Sequence, residues 1–299
     1  MANRPDPSET FQPRQQRLPI SFRSRRLVRD QIDRVVNLHK RLFTSPDNPL
    51  PDCLIIGAQR AGTSSLYRNL LQHPGIGGAT RKEVHYFDQN HHQGPTWYRS
   101  FFSAPAPGEP PRLSVEATPY YLYHPAVPAR VKALLPEARF IALLRDPVER
   151  AWSDYLHARE HGYESLDFAA ALDAEEGRLR GEEDRMLAEP PYASHAHRFQ
   201  SYQSRGLYAR QLSRWLEHFP RDRFLLLKAE DLYGDNQGVT QRVLAFLGLD
   251  EAPGIQPTWR NSTPDKSPMP DAVRERLRRH FEPANAALRT IAGPEFDWT

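Results

Sequence analysis

The 299-residue sequence predicts an α/β fold, a three-layer α/β/α arrangement around a central, mostly parallel sheet. Apolar runs at 52–57 and 139–144 have the continuous hydrophobic character of strands buried on both faces. Helical patterns alternate with such runs along the chain. The first run ends in a glycine-containing segment that leads directly into a helix, and the second ends in a helix opened by proline.

In chain order, residues 1–22 are polar and dotted with proline and read as a flexible tail. Residues 23–48 place Leu27, Ile32, Val35, Val36, Leu38 and Leu42 at loosely helical spacing among many arginines. This predicts a basic amphipathic helix that packs on the domain surface, with peripheral contact to an acidic membrane as the alternative. Residues 49–299 are expected to form one domain. Its first strand, 52–57, precedes a helix over 63–72 that His73 and Pro74 halt. The region 75–102 is rich in loops and aromatics; of Tyr86, Phe87, Trp97, Tyr120, Tyr121 and Tyr123, core packing is expected to account for at least half, and the rest are candidates to stack a ring-bearing ligand. A strand is expected at 113–116, a helix at 127–135 and the second central strand at 139–144. Asp146 as N-cap, Pro147 at the first helical position and Glu149 three residues after the cap then form a complete helix start. Further helices are expected at 168–187, 208–218, 237–247 and 271–288, with a strand at 223–228.

Composition narrows the function classes. Hydrophobic residues make up 39% and charged residues 26% of the chain, an ordinary globular balance. A net charge of +3 does not call for nucleic acid as a partner. No run of about 18 apolar residues exists and the N-terminus lacks an apolar signal core, so a soluble, cytoplasmic protein is expected. The single cysteine, Cys53, lies inside a strand pattern, which excludes an intramolecular disulfide framework and a cysteine metal site. No metal is expected. Arginine far outnumbers lysine, and guanidinium suits bidentate recognition of phosphate and sulfate.

The segment GAQRAGTSSL, 57–66, sits between the first strand and its helix. Gly57 and Gly62 permit close backbone approach, and the amides around Thr63, Ser64 and Ser65 at the helix start would face an anion. The glycine spacing makes the fold P-loop-like, yet Thr63 stands where a nucleotide-triphosphate loop needs lysine, and the cation has moved to Arg60. The second apolar strand runs into Arg145 rather than a metal-binding aspartate, and Asp146 is accounted for as a cap. A small-molecule kinase is thereby disfavoured, and a non-catalytic nucleotide-binding protein stays open as a third reading.

With this loop, the stretch LLRDPVERAWSDY, 143–155, resembles the sulfotransferases that use 3′-phosphoadenosine 5′-phosphosulfate (PAPS), particularly the branch holding heparan sulfate sulfotransferases and their bacterial relatives. The resemblance runs from about residue 52 to the C-terminus, and two ordered motifs are far more specific than one. It implies sulfuryl transfer from PAPS to a hydroxyl or amine of a carbohydrate or small-metabolite acceptor, with PAP as the product. Gln59, Arg60, Ala61, Gly62, Thr63, Ser64 and Ser65 would hold the 5′-phosphosulfate, and Arg145 and Ser153 the 3′-phosphate. RKEVHYFD, 81–88, is similar to the segment that carries the family's general base, which places that role on Glu83 and supporting roles on His85 and Asp88. Tyr208 and Arg205 would complete the nucleotide pocket, and Arg260 and Lys266 fall in the loop the family lays over the 3′-phosphate and adenine. Two lysines of the family pattern are replaced here. Arg60 neutralises charge without donating a proton, so its help to the leaving group is electrostatic. Ala117 leaves a cation to be supplied elsewhere, with Arg81 and Lys82 as candidates.

Overall fold

A computed structural model describes residues 44–46, 48–105, 108–110, 112–251, 254–258 and 267–298. Five strands form the sheet: β1 Cys53–Gly57, β2 Ile76–Gly78, β3 Leu113–Ala117, β4 Arg139–Leu144 and β5 Phe224–Lys228. Their order is β2-β3-β1-β4-β5 and every pairing is parallel, so the sheet is wholly parallel. Residues 54–56 and 140–144 are buried throughout, as strands covered by helices on both faces require.

The first helices are α1 Thr63–Leu70, α2 Pro95–Arg99, α3 Val127–Leu134 and α4 Pro147–Glu160. They are followed by α5 Phe168–Leu179, α6 Glu182–Ala188, α7 His195–Phe199 and α8 Tyr208–Leu216. The last three are α9 Ala229–Gly234, α10 Asn236–Leu247 and α11 Asp271–Ala292. One apolar cluster joins the strands to Leu66, Leu70, Trp215, Val243 and Leu288. A second gathers Tyr155, Phe168, Tyr202, Leu277 and Phe281 beside it.

Several expectations change. The helix expected over 168–187 is two helices, because Gly181 turns left-handed at φ 75° and caps α6. The C-terminal helix runs on to Ala292, carrying Pro283 inside it. Asp146 caps α4 by accepting from the Val148 amide, but Glu149 does not close the capping box. Glu230 takes the Asp146 amide at 2.9 Å, and Glu149 pairs with Arg274. Strand β2 was not anticipated. The tail and most of the basic N-terminal helix lie outside the described residues, and the described end of that helix, 44–46 and 48, is not helical. No described helix is long and apolar enough to cross a membrane.

The topology fixes where a ligand goes. β1 is flanked by β3 and β4, and the chain crosses from one side of β1 to the other between them. Parallel sheets bind ligands beyond the carboxyl ends of the strands at such a switch point. Here those ends are Gly57, Ala117 and Leu144, each running into a segment singled out by sequence.

Candidate active site

The loop after β1 is shaped by its two glycines. A Cβ on Gly57 would lie 2.6 Å from Leu122 Cβ, so only glycine lets the chain pass this point. Gly62 has φ 91° and caps α1, whose first turn carries no acidic residue. Thr63 and Ser65 are buried and Ser64 is partly exposed. Ala61 is fully buried, so its contribution is backbone.

The two phosphate motifs, 93 residues apart, touch. Arg60 Nε donates to Ser153 Oγ on α4 at 3.1 Å, and Arg145 Nη1 donates to the Arg60 carbonyl at 3.0 Å. Burial lowers the Arg60 pKa, Asp154 opposes this, and Arg145 and Arg150 add to it. Cations gathered at a helix start with no acid in its first turn fit an oxyanion, whose charge would relieve their mutual repulsion. This is the observation by which the residues fit a phosphate- or sulfate-bearing nucleotide.

Tyr208 is not an open pocket wall. It is 1% exposed, and its hydroxyl donates to the Arg145 carbonyl at 2.9 Å, so it positions the arginine. Arg205 is equally buried. It binds the Gln59 side-chain oxygen and the carbonyls of His197 and Arg198 at 2.8 and 2.7 Å, fixing the loop from behind. Arg150, fully buried, pairs with Asp154 at 2.9 Å and donates to the Tyr202 carbonyl. Arg260 and Lys266 lie outside the described residues.

On the other side stands the segment after β2. The Glu83 amide bonds the Ala117 carbonyl at 3.0 Å, which seats it on the end of β3. Glu83 and His85 adopt φ 60° and 56°, and Arg60 adopts 70°; these three are the described non-glycine residues with positive φ. Such backbone clusters at functional positions because it persists only where the surroundings impose it. A buried network does so here. Fully buried Glu116 accepts from the hydroxyls of Tyr98, Thr118 and Tyr121, and the Tyr121 hydroxyl in turn accepts from the Tyr86 and Phe87 amides at 2.9 and 3.4 Å. Burial raises the Glu116 pKa against the pull of those hydroxyls.

The side chains form a chain of charge. Lys82 Nζ is 2.6 Å from Glu83 Oε1, Glu83 Oε2 is 3.6 Å from His85 Nε2, and His85 Nδ1 is 2.6 Å from Asp88 Oδ2. Burial alone would raise the Glu83 pKa, but the His85 hydrogen bond and Lys82 outweigh it and hold it at about 2. Burial likewise opposes charge on His85, yet Asp88 and Glu83 raise its pKa to about 9. At neutral pH this leaves an ionised Glu83 that can accept a proton, oriented by an imidazolium that a buried Asp88 anchors.

Of the two candidates to replace the cation missing at Ala117, Lys82 reaches Glu83. Arg81 instead donates to the Val84 carbonyl and lies over Phe101. A cavity of about 180 Å³ joins the halves, lined by Gln59, Glu83 and His85 together with Tyr120, His157 and Arg198. Of the aromatics proposed to stack an acceptor, Tyr120 alone borders this cavity; the others are buried, and Tyr163 and Phe199 line it instead. Neither of those two, nor His157 and Arg198, is marked by a local motif.

Fold and site together give a parallel α/β protein in which a carboxylate and the glycine-flanked loop after β1 share one cavity. Residues 50–267 match the sulfotransferase domain family, and the chain belongs to it. It is 34% identical over 217 residues to heparan sulfate glucosamine 3-O-sulfotransferase 3A1 of Mus musculus, covering 70% of this chain and 48% of that protein. It is 30% identical over 273 residues to heparan sulfate glucosamine 3-O-sulfotransferase 6 of Homo sapiens, covering 83% and 73%. A crystal structure of a sulfotransferase from Alicyclobacillus acidocaldarius superposes with a TM-score of 0.64 at 29% identity, covering 81% of this chain and 95% of that one. The chain thus spans about half the length of some curated relatives it matches. These relatives also overturn the cytoplasmic expectation, since heparan sulfate sulfotransferases are not cytoplasmic enzymes.

Proposed function

We propose that residues 49–299 form one catalytic domain that transfers a sulfuryl group from PAPS to a hydroxyl or amine of a carbohydrate, with Glu83 as general base. The observation that carries this is the single cavity in which Gln59 of the phosphate loop meets Glu83 and His85. In the reaction the acceptor O–H or N–H gives its proton to Glu83, the new O–S or N–S bond forms, and the bond from sulfur to the phosphate oxygen breaks to release PAP. The loop from Gln59 to Ser65 would hold the phosphosulfate, with Arg60 placed to neutralise charge on the departing oxygen. Arg145 and Ser153 would hold the 3′-phosphate. A glucosamine-containing acceptor is favoured by the names of the relatives, which act on heparan sulfate glucosamine. The cations Lys82 and Arg198 beside the cavity suit an anionic polysaccharide.

The test pairs binding with transfer. Calorimetry in a chelator should show PAP binding to wild type and to Glu83→Gln alike, whereas radiolabelled sulfuryl transfer from PAPS to a panel of glucosaminyl polysaccharides should occur with wild type alone. ATP binding that ignores a 3′-phosphate would sink the reading in favour of a kinase. PAP binding without transfer to any acceptor would favour the non-catalytic one.

A further inference from the structure

We propose that His157 and Glu160 on the last turn of α4, with His161 at its C-cap, form a transition-metal site at the rim of the acceptor cavity, and that a zinc-class cation bound there blocks the acceptor. One ligand atom from each residue lies within 4.8 Å of the others. Spacing of i, i+3 and i+4 puts all three on one side of the helix end, and two imidazoles with a carboxylate are a donor set found in known zinc centres.

Four features beyond spacing favour a cation here. His161 Nδ1 lies 2.9 Å from the His157 carbonyl, so Nδ1–H donates to it and Nε2 is left to ligate; such a bond orients metal-bound imidazoles. The two rings already stand 4.1 Å apart. The site lies at the C-terminal end of a 14-residue helix, where the aligned peptide dipoles favour positive charge. Nearby arginines are engaged elsewhere: Arg60 with Ser153, Arg198 with Gln89 and Arg159 with the Ser165 carbonyl. Two imidazoles select zinc, copper or nickel over magnesium or calcium.

Both histidines line the cavity that holds Glu83 and His85, and Gln59 borders it from the loop after β1. A cation on them would fill space in front of Glu83 and so compete with the acceptor. This second half rests on the sulfotransferase reading; metal binding itself does not.

The experiment uses the full chain, freed of metal by chelator and dialysis, titrated with zinc chloride against a chromogenic chelator. One equivalent should bind to wild type, and His157→Ala/His161→Ala should weaken binding at least about tenfold with an unchanged circular dichroism spectrum. Cobalt should give the visible absorption of nitrogen-ligated Co²⁺ in wild type, and the double variant should lose it. In transfer assays zinc should inhibit competitively with the acceptor and not with PAPS, and Glu160→Gln should raise the inhibition constant. Absence of zinc binding, or equal binding by the double variant, overturns the site. Binding with inhibition competitive with PAPS overturns its link to the acceptor. Lack of all sulfuryl transfer removes the activity arm alone, and the chelator titration still decides the metal site.

Discussion

Replacing Asp88 by asparagine isolates the electrostatics that orient Glu83. The Asp88 side chain is fully buried, with Oδ2 2.6 Å from His85 Nδ1, and asparagine keeps its shape without its charge. In the native protein burial opposes charge on His85, but Asp88 first and Glu83 second raise its pKa from 6.5 to about 9. A folded value above the unfolded one gives stability that is fully present below pH 6.5 and lost as pH rises through about 9. A rise of this size corresponds to about 3 kcal/mol. In Asp88→Asn the burial acts unopposed by Asp88, so His85 should titrate near or below its ordinary value. Stability at pH 6 should fall by about 3 kcal/mol, and the gap to wild type should narrow at pH 10. Imidazole titration by NMR and urea unfolding at the two pH values measure both quantities, and the alkaline limb of kcat/KM should move down with the imidazole. An unchanged His85 midpoint, or an equal stability loss at both pH values, would refute the reasoning.

Three further outcomes are expected. Arg145→Ala should weaken PAP binding by about 10- to 100-fold, the range for lost charge-assisted hydrogen bonds, with little change in melting temperature. Calorimetry and thermal melts read the two separately. Glu116→Gln places a donor among three hydroxyl donors and should cost about 1–3 kcal/mol. Because Tyr121 links Glu116 to the Tyr86 amide, kcat should fall while PAP affinity stays, a split that general destabilisation does not produce. Gly57→Ala drives a Cβ into Leu122 and should destabilise the protein by about 1–3 kcal/mol while also weakening PAP binding, as followed by denaturant unfolding and calorimetry.

What the sequence disclosed was local. Apolar runs, a glycine at each end of a six-residue turn, and a proline behind a cap act within a few positions, and β1, β4, the phosphate loop and the start of α4 follow from them. The contacts that assemble the site join residues far apart in sequence, such as Arg60 with Ser153 and Gln59 with Arg205, 146 positions away. Nothing in periodicity announces those. The capping box failed for the same reason, since Glu230, 84 positions on, outcompetes Glu149 for the Asp146 amide. Strand β2 escaped because IGG is three residues long and holds two glycines, too short and too poor in side chains to show alternation. The two helices read as one over 168–187 show the reverse, where a single glycine at 181 turns the chain inside an otherwise continuous pattern. The resemblance supplied Glu83, which no physical property of a lone glutamate would have singled out.

The left-handed backbone at Arg60, Glu83 and His85 bears on how this protein would respond to selection. An L residue held there gives up about 1–2 kcal/mol that glycine would not. Glu83 is the sharpest case, because its side chain is 43% exposed and its ion pair returns little stability. A screen for heat resistance alone should therefore enrich glycine or asparagine at 83, and the survivors should be sturdier proteins without the carboxylate that the proposed reaction requires. On the proposed reaction, local backbone comfort and chemistry pull position 83 in opposite directions.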